Sequence, residues 1–269
     1  MRVLAVNDVS CIGKCSLSVT LPIVSACGIT CDVLPTSLLS THTGGFTGYT
    51  FRDLTEDMRG VLAHWKTLGV QFDIIYSGYL GSVEQIRLVE QLKNEFLAKG
   101  GKLIVDPVMG DSGKLYDRFD NDFVCHMREL CKLADYILPN FTEACFLSGT
   151  DYLLGSKNPA NVLEKLKSIN PCPIITGVHE GDEIGVYYFE NEKCKKYFLP
   201  STPGFFCGAG DVFASAFVGC LATGKDAFSA VKIATDFTTA SIRRSATEVE
   251  DKRFGLNFEK ELPQLIRAL

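Results

Sequence analysis

The chain has 269 residues, of which 46% are apolar and 22% charged, with a formal net charge of −5 at pH 7. Those values exclude a disordered chain, and no run of about 18 apolar residues marks a membrane-crossing helix. A mildly acidic sequence without a Lys/Arg cluster is a poor partner for nucleic acid or a membrane surface. Because Met1 to Asp8 reads as a strand and not as an export signal, a cytoplasmic protein is expected.

In chain order, short apolar runs at Val3–Val6, Asp73–Tyr76, Leu103–Val105, Tyr136–Leu138, Pro173–Thr176 and Ile184–Phe189 read as strands. Helical segments lie between them. Ser82-Val83-Glu84-Gln85 reads as a capping box, followed by Val83, Ile86, Val89, Leu92 and Phe96 on one face and a stop at Lys99-Gly100-Gly101. Asn158-Pro159 opens a helix with Val162, Leu163, Leu166 and Ile169 inward. Val212 to Thr223 forms another, closed by Gly224. This β-α-β-α rhythm predicts an α/β fold: a mostly parallel sheet with helices on both faces. No linker or repeat interrupts it, so residues 1–269 are expected to form one domain.

Eleven cysteines, an odd number scattered without an export signal, argue for free and mostly buried thiols. Cys11/Cys15 and Cys27/Cys31 are spaced i, i+4, wider than usual zinc pairs, and have no companion ligands nearby.

Sites in parallel α/β folds collect beyond the carboxyl ends of strands. There this chain carries Asn7-Asp8, Ser77-Gly78-Tyr79, Asp106-Pro107-Val108-Met109-Gly110-Asp111, Pro139-Asn140-Phe141-Thr142-Glu143 and Thr176-Gly177. Polar and acidic groups recur where apolar runs stop, the pattern of one shared cleft. The strongest local signal is Gly208-Ala209-Gly210-Asp211, leading into the 212–223 helix. Amides at a helix start can approach a phosphate where side chains are absent, and Asp211 is placed to take a proton from an attacking hydroxyl. Two motifs here are decoys. Residues 208–214 fit G-x-G-x-x-A, yet lie in the last quarter of the chain, outside the opening βαβ unit of a dinucleotide fold. Residues 219–225 fit G-x4-G-K, but Asp226 stands where a metal-binding Ser/Thr belongs.

On the motifs at 208–211, 106–111, 140–143 and Ser40-Thr41-His42-Thr43-Gly44, the chain resembles the ribokinase superfamily nearly end to end, and within it the pyridoxal (vitamin B6) kinases. The resemblance implies a three-layer α/β/α sandwich. It also implies ATP-dependent phosphorylation of the 5′-hydroxymethyl group of pyridoxal, pyridoxine or pyridoxamine, with Mg²⁺ or another divalent ion, K⁺ as monovalent activator, and a homodimer. By the same resemblance Asp211 looks like the catalytic base and Gly208, Ala209 and Gly210 like the anion hole. Asp8, His42, Thr43, Gly44 and Tyr79 look like substrate contacts. Asp106, Leu138, Asn140, Glu143 and Thr176 look like the ATP side, with Asp106, Asp111 and Glu143 toward the metal and residues 111–116 as a flap.

The chain departs from the family pattern at Ala209, where the superfamily has Thr, and at Asp8, where many pyridoxal kinases have Ser. An acid at position 8 could pair with a protonated ring nitrogen or favour an amine-bearing vitamer. Cys207 reads as packing, with a redox-sensitive thiol as the alternative. His64, His126 and His179 read as bystanders, the last in a polar turn. Two other functions fit the same fold: a hydroxymethylpyrimidine kinase, and a non-catalytic binder of vitamin or nucleotide. The binder gives no reason for a base aimed at an anion hole.

Overall fold

The computed structural model describes all 269 residues. Strand β1 (Arg2–Ile12) leads through α1 (Leu17–Ala26) to β2 (Thr30–Thr41), the short β3 (Phe51–Asp53) and α2 (Thr55–Leu68). Then come β4 (Phe72–Ser77), α3 (Val83–Phe96), β5 (Leu97–Val105) and a two-stranded hairpin, β6 (Gly110–Asp111) with β7 (Lys114–Leu115). Next are α4 (Asn121–Leu133), β8 (Tyr136–Ile137), α5 (Phe141–Ser148), α6 (Tyr152–Gly155) and α7 (Pro159–Leu166). The chain closes with β9 (Ile174–Glu180), β10 (Glu183–Glu190), β11 (Lys193–Pro200), α8 (Ala209–Ala222), α9 (Ala227–Glu248) and α10 (Leu262–Ala268).

The main sheet runs β3-β2-β1-β4-β5-β8, parallel from β2 to β8. Bridges Ile137↔Pro173 and Asn140↔Thr176 carry it into the antiparallel β9-β10-β11. Successive strand residues point to opposite faces. Leu4, Val6, Ile75, Leu103 and Val105 therefore join the core under α2, α3, α4, α5 and α7. Val3, Ala5, Ile74, Tyr76 and Ile104 join the core under α1, α8 and α9. The strands are continuously apolar because both faces are covered, giving the three-layer α/β/α sandwich.

The differences from the expected elements have local causes. β1 does not stop at Val6: it continues to Ile12 through a register shift between Asn7 and Val9, opposite Pro35 of β2. Proline cannot donate to the ladder, and bulges sit where pairing fails. Asn7 and Asp8 thus lie inside a strand, at its irregularity. β2 escapes the pattern search because Pro35 and polar residues interrupt its apolar alternation. β11 escapes because Lys193-Cys194-Lys195-Lys196 is exposed. α3 ends at Phe96, not at Lys99, and β5 takes up Lys99-Gly100-Gly101. Only half of the expected capping box forms at Ser82. Its hydroxyl accepts from the Gln85 amide, but Gln85 Oε1 accepts from Gly81 N and Nε2 donates to Thr36 O. The complete capping box lies at Asn140/Glu143. His179 is in β9, not in a turn. All eleven cysteines are free, six of them buried. No helix is long and apolar enough to cross a membrane.

Candidate active site

A cleft of about 480 Å³ opens over the carboxyl ends of β1, β4, β5 and β8 and the start of α8. Every side chain or glycine proposed from the sequence lines it: Asp8, His42, Thr43, Gly44 and Tyr79 toward β1 and β2, Asp106, Asp111, Leu138, Asn140, Glu143 and Thr176 toward β5, β8 and β9, and residues 208–211 between them.

The helix α8 begins without a side-chain cap. Gly208 occupies its N-cap with φ 76°, a left-handed conformation that leaves the amides of Ala209, Gly210 and Asp211 outside the helical ladder. A Cβ at Gly208 would stand 2.2 Å from the Lys14 carbonyl oxygen, so glycine is the only residue that lets this loop lie on the β1–α1 turn. In the first turn of the helix, desolvation pushes the Asp211 carboxyl up to about 6. The Ser16 amide opposes that rise, the charge of Asp8 adds to it, and the Asn7 side chain again opposes it. Asn7 Nδ2 lies 3.5 Å from Asp211 Oδ1, while Asn7 Oδ1 accepts from the amides of Tyr79 (2.8 Å) and Asp8 (3.0 Å).

Ser16 is strained, at φ 53° and ψ −131°. Instead of capping α1, its hydroxyl donates to Asp8 Oδ1 at 2.5 Å, and Ser10 Oγ donates to Oδ2 at 3.3 Å. Burial raises the Asp8 carboxyl, and the two serines pull the other way. His42 lines the cleft with both ring nitrogens engaged by the protein. Its Nε2 lies 2.6 Å from the Arg253 carbonyl oxygen, and its Nδ1 accepts from the Gly44 amide at 3.1 Å. Those partners specify a neutral ring with the proton on Nε2. His42 therefore forms a wall of the cleft and has no nitrogen left for a substrate. Burial raises the Cys207 thiol, the opposite of an activated thiolate, and its Sγ contacts Gly44 O at 3.5 Å.

The other acids gather on the far side. Asp106 is buried and held well above the usual carboxylate range by desolvation, then by the charges of Glu143 and Asp211. Burial pushes Glu143 up to about 8, against hydrogen bonds from the amides of Asn140, Met109 and Gly110. Its Oε2 accepts from Asn140 N at 2.8 Å and its Oε1 from Met109 N at 3.1 Å. Asp111 sits on the hairpin, and no group of three or more His, Cys, Asp or Glu side chains comes together tightly enough to hold a metal by itself. The expected set Asp106, Asp111 and Glu143 is therefore not a ready-made cage, because Glu143 already serves backbone amides.

The sequence places Asn7 at the cleft without a role and reads His179 as a bystander; Ser16 and the cleft-facing Thr235, Thr238 and Thr239 of α9 it does not mark at all. The three threonines are spaced i, i+3, i+4 and carried a readable helical signal. The Asn7 and Ser16 contacts carried none, because a bulge and a strained turn create them.

The phosphomethylpyrimidine kinase family matches residues 24–257 of the chain. The structure superimposes with a TM-score of 0.91 on a candidate phosphomethylpyrimidine kinase of Bacteroides thetaiotaomicron VPI-5482 crystallised with pyridoxal; it is 37% identical and covers 98% of this chain and 95% of that one. Pyridoxal kinase of Lactobacillus plantarum gives a TM-score of 0.92 at 32% identity, over 99% and 96% of the two chains. Pyridoxine kinase of Bacillus subtilis is 30% identical over 199 residues, 71% of each chain. On the extent of these matches, the chain belongs to the phosphomethylpyrimidine kinase family, within which its relatives include pyridoxal and pyridoxine kinases.

Proposed function

We propose that this protein transfers the γ-phosphoryl group of ATP to the 5′-hydroxyl of a vitamin B6 vitamer: pyridoxal, pyridoxine or pyridoxamine. The observation that carries the reading is Asp211, a half-buried carboxylate raised to about 6, standing in the first turn of a helix whose amides no side chain caps. At neutral pH such a group is mostly ionised yet basic enough to accept a hydroxyl proton. The substrate oxygen attacks the γ-phosphorus in line, the bond to the bridging oxygen breaks, ADP departs, and the proton passes to Asp211. The amides of residues 208–210 face the charge on the moving phosphoryl group. Asn7 and Ser16 keep the Asp211 carboxylate oriented. The vitamer occupies the end lined by Asp8, Thr43, Gly44 and Tyr79, and the nucleotide the end lined by Leu138, Asn140 and Thr176.

The cleft wall holds five acids, Asp8, Asp106, Asp111, Glu143 and Asp211, and no Lys or Arg. Like charges in one buried site repel, and a triphosphate adds to them. This donor set fits a divalent cation, which Asp106 and Asp111 would hold, with Glu143, whose oxygens already accept from the Asn140 and Met109 amides, reaching it through water. Such an ion supplies the positive charge that phosphoryl transfer needs and the protein wall lacks. Potassium as an activator near Thr176, a homodimer, a cytoplasmic setting and a single kinase domain over residues 1–269 complete the reading. The bridged sheet with cores on both faces supports the last.

A second reading, phosphorylation of hydroxymethylpyrimidine, is favoured by the description of the matching family. The test is phosphorylation of the three vitamers and hydroxymethylpyrimidine in parallel, with Mg-ATP and with K⁺ or Na⁺, for wild type and Asp211→Asn. Vitamer turnover lost in the variant is expected. Turnover of the pyrimidine alone selects the second reading, and binding without turnover makes the protein a carrier.

A further inference from the structure

The hairpin β6–β7 stands at the cleft beside the start of α5, with Asp111 on its first strand and Tyr116 just past its second, both lining the wall. Its turn is Ser112-Gly113, with φ 52° and 79°, the left-handed pair of a tight two-residue hairpin. Three hydrogen bonds tie this segment to the start of α5, and each comes from a different side chain of Asn140-Phe141-Thr142-Glu143. Met109 N donates to Glu143 Oε1 (3.1 Å), Asn140 Nδ2 donates to Gly110 O (2.8 Å), and Gly113 N donates to Thr142 Oγ1 (2.9 Å). The first two hold the base of the hairpin, where it leaves the sheet. Only the third holds its tip. On the other side Gly113 rests on the Tyr152 ring, where a Cβ would stand 3.0 Å from the nearest ring carbon.

We propose that Thr142 is a positioning residue: its hydroxyl latches the tip of the hairpin and so fixes Asp111 and Tyr116 over the bound nucleotide phosphates. Thr142 is buried and does not line the cleft, so it acts through the hairpin and not on the ligand. A β-branched apolar residue would fill the same space without the acceptor. The kinetic consequence rests on the kinase reading; the latch itself does not.

The experiment compares wild type, Thr142→Val and Thr142→Ser by amide hydrogen exchange of the 110–116 segment and by steady-state kinetics with Mg-ATP and pyridoxal. In Thr142→Val, exchange across 112–114 should speed up by roughly two- to tenfold, the scale of one lost hydrogen bond. The KM for Mg-ATP should rise by a similar factor of about two to ten, while the KM for pyridoxal stays within about twofold of wild type. Thr142→Ser, which restores the hydroxyl, should return both values toward wild type. Unchanged exchange in Thr142→Val overturns the latch. Faster exchange with both KM values moving together, or with neither moving, overturns the positioning role. If Thr142→Val does not fold, Thr142→Ala removes the same acceptor at smaller volume and is read by the same two measurements. Wild type that phosphorylates no vitamer would sink the kinase reading, and exchange would still decide the latch.

Discussion

Two helix starts face each other across the cleft, and each carries an acid in its first turn. At α5 the loop is closed on itself: Asn140 caps the Glu143 amide, and Glu143 caps the Asn140 amide while also holding Met109 N. At α8 the cap is Gly208, which has no side chain to offer, and Asp211 makes no such reciprocal contact. Glu143 is buried and Asp211 half-buried, and desolvation raises both. The difference teaches what each start is for. Where the amides are satisfied internally, the acid holds the scaffold whatever else it does. Where they are left open beside a carboxylate held only by Asn7 and Ser16, the helix start awaits an anion and the carboxylate a proton.

The largest test of that contrast is Asp211→Asn. Its kcat should fall by roughly 10²–10⁴, the usual contribution of a positioned base, while the melting temperature rises because a buried charge is removed. A kcat within tenfold of wild type would make α8 as structural as α5. Gly208→Ala comes next. Its Cβ cannot coexist with Lys14 O, and φ 76° is strained for alanine. We expect a loss of about 1–3 kcal/mol in denaturant unfolding together with weaker Mg-ATP binding by calorimetry. An alanine variant with wild-type stability would show that the close approach is not required.

Glu143→Ala should behave oppositely to Asp211→Asn. It leaves the amides of Asn140 and Met109 without their acceptor and should cost about 1–3 kcal/mol of stability, whereas Glu143→Gln, which retains one oxygen, should cost less. If urea midpoints rank the three differently, the closed-box description of α5 is wrong.

The pH dependence follows from the same pair. Asp211 at about 6 and Glu143 at about 8 lie above their usual values, so the folded protein binds these protons more tightly than the unfolded chain. The stability they contribute is complete below about pH 4 and is lost as pH rises through about 6 and about 8. The apo protein should therefore melt at progressively lower temperature from pH 5 to 9, and Asp211→Asn should flatten the lower part of that slope. Activity has the other sign: kcat/KM should fall as pH drops through about 6, when the base is protonated.

The smallest expected effect lies at the vitamer end. Ser10 and Ser16 already engage the Asp8 carboxylate. Asp8→Ser should shift the ratio of kcat/KM between pyridoxamine and pyridoxal, with overall turnover little changed. A constant ratio would leave Asp8 as a partner of Ser16 and remove it from substrate selection.

Much of this was legible in the sequence, and particular residues show why. The runs Ile74–Tyr76 and Leu103–Val105 are apolar at every position, which is what burial on both faces of a parallel sheet demands. The glycines flanking Ala209 and the acid behind them mark an open helix start through local chemistry alone. The bend of β1 beyond Val6 depends on where Pro35 of a neighbouring strand falls, which no local pattern reports. The box at Asn140 is written in the sequence, but spacing alone does not reveal that the Glu143 carboxylate also accepts from Met109 N. His42 is the same case: its Nε2 meets the Arg253 carbonyl, 211 residues away, a contact no local pattern reports. Sequence by itself determined the layers, the strand ends and the set of acids that meet in the cleft, because apolar periodicity and backbone chemistry are local. Which donors each of those acids meets is set by the folded chain, because Asn7 and Ser16 reach Asp211, and Met109 reaches Glu143, from distant parts of the sequence.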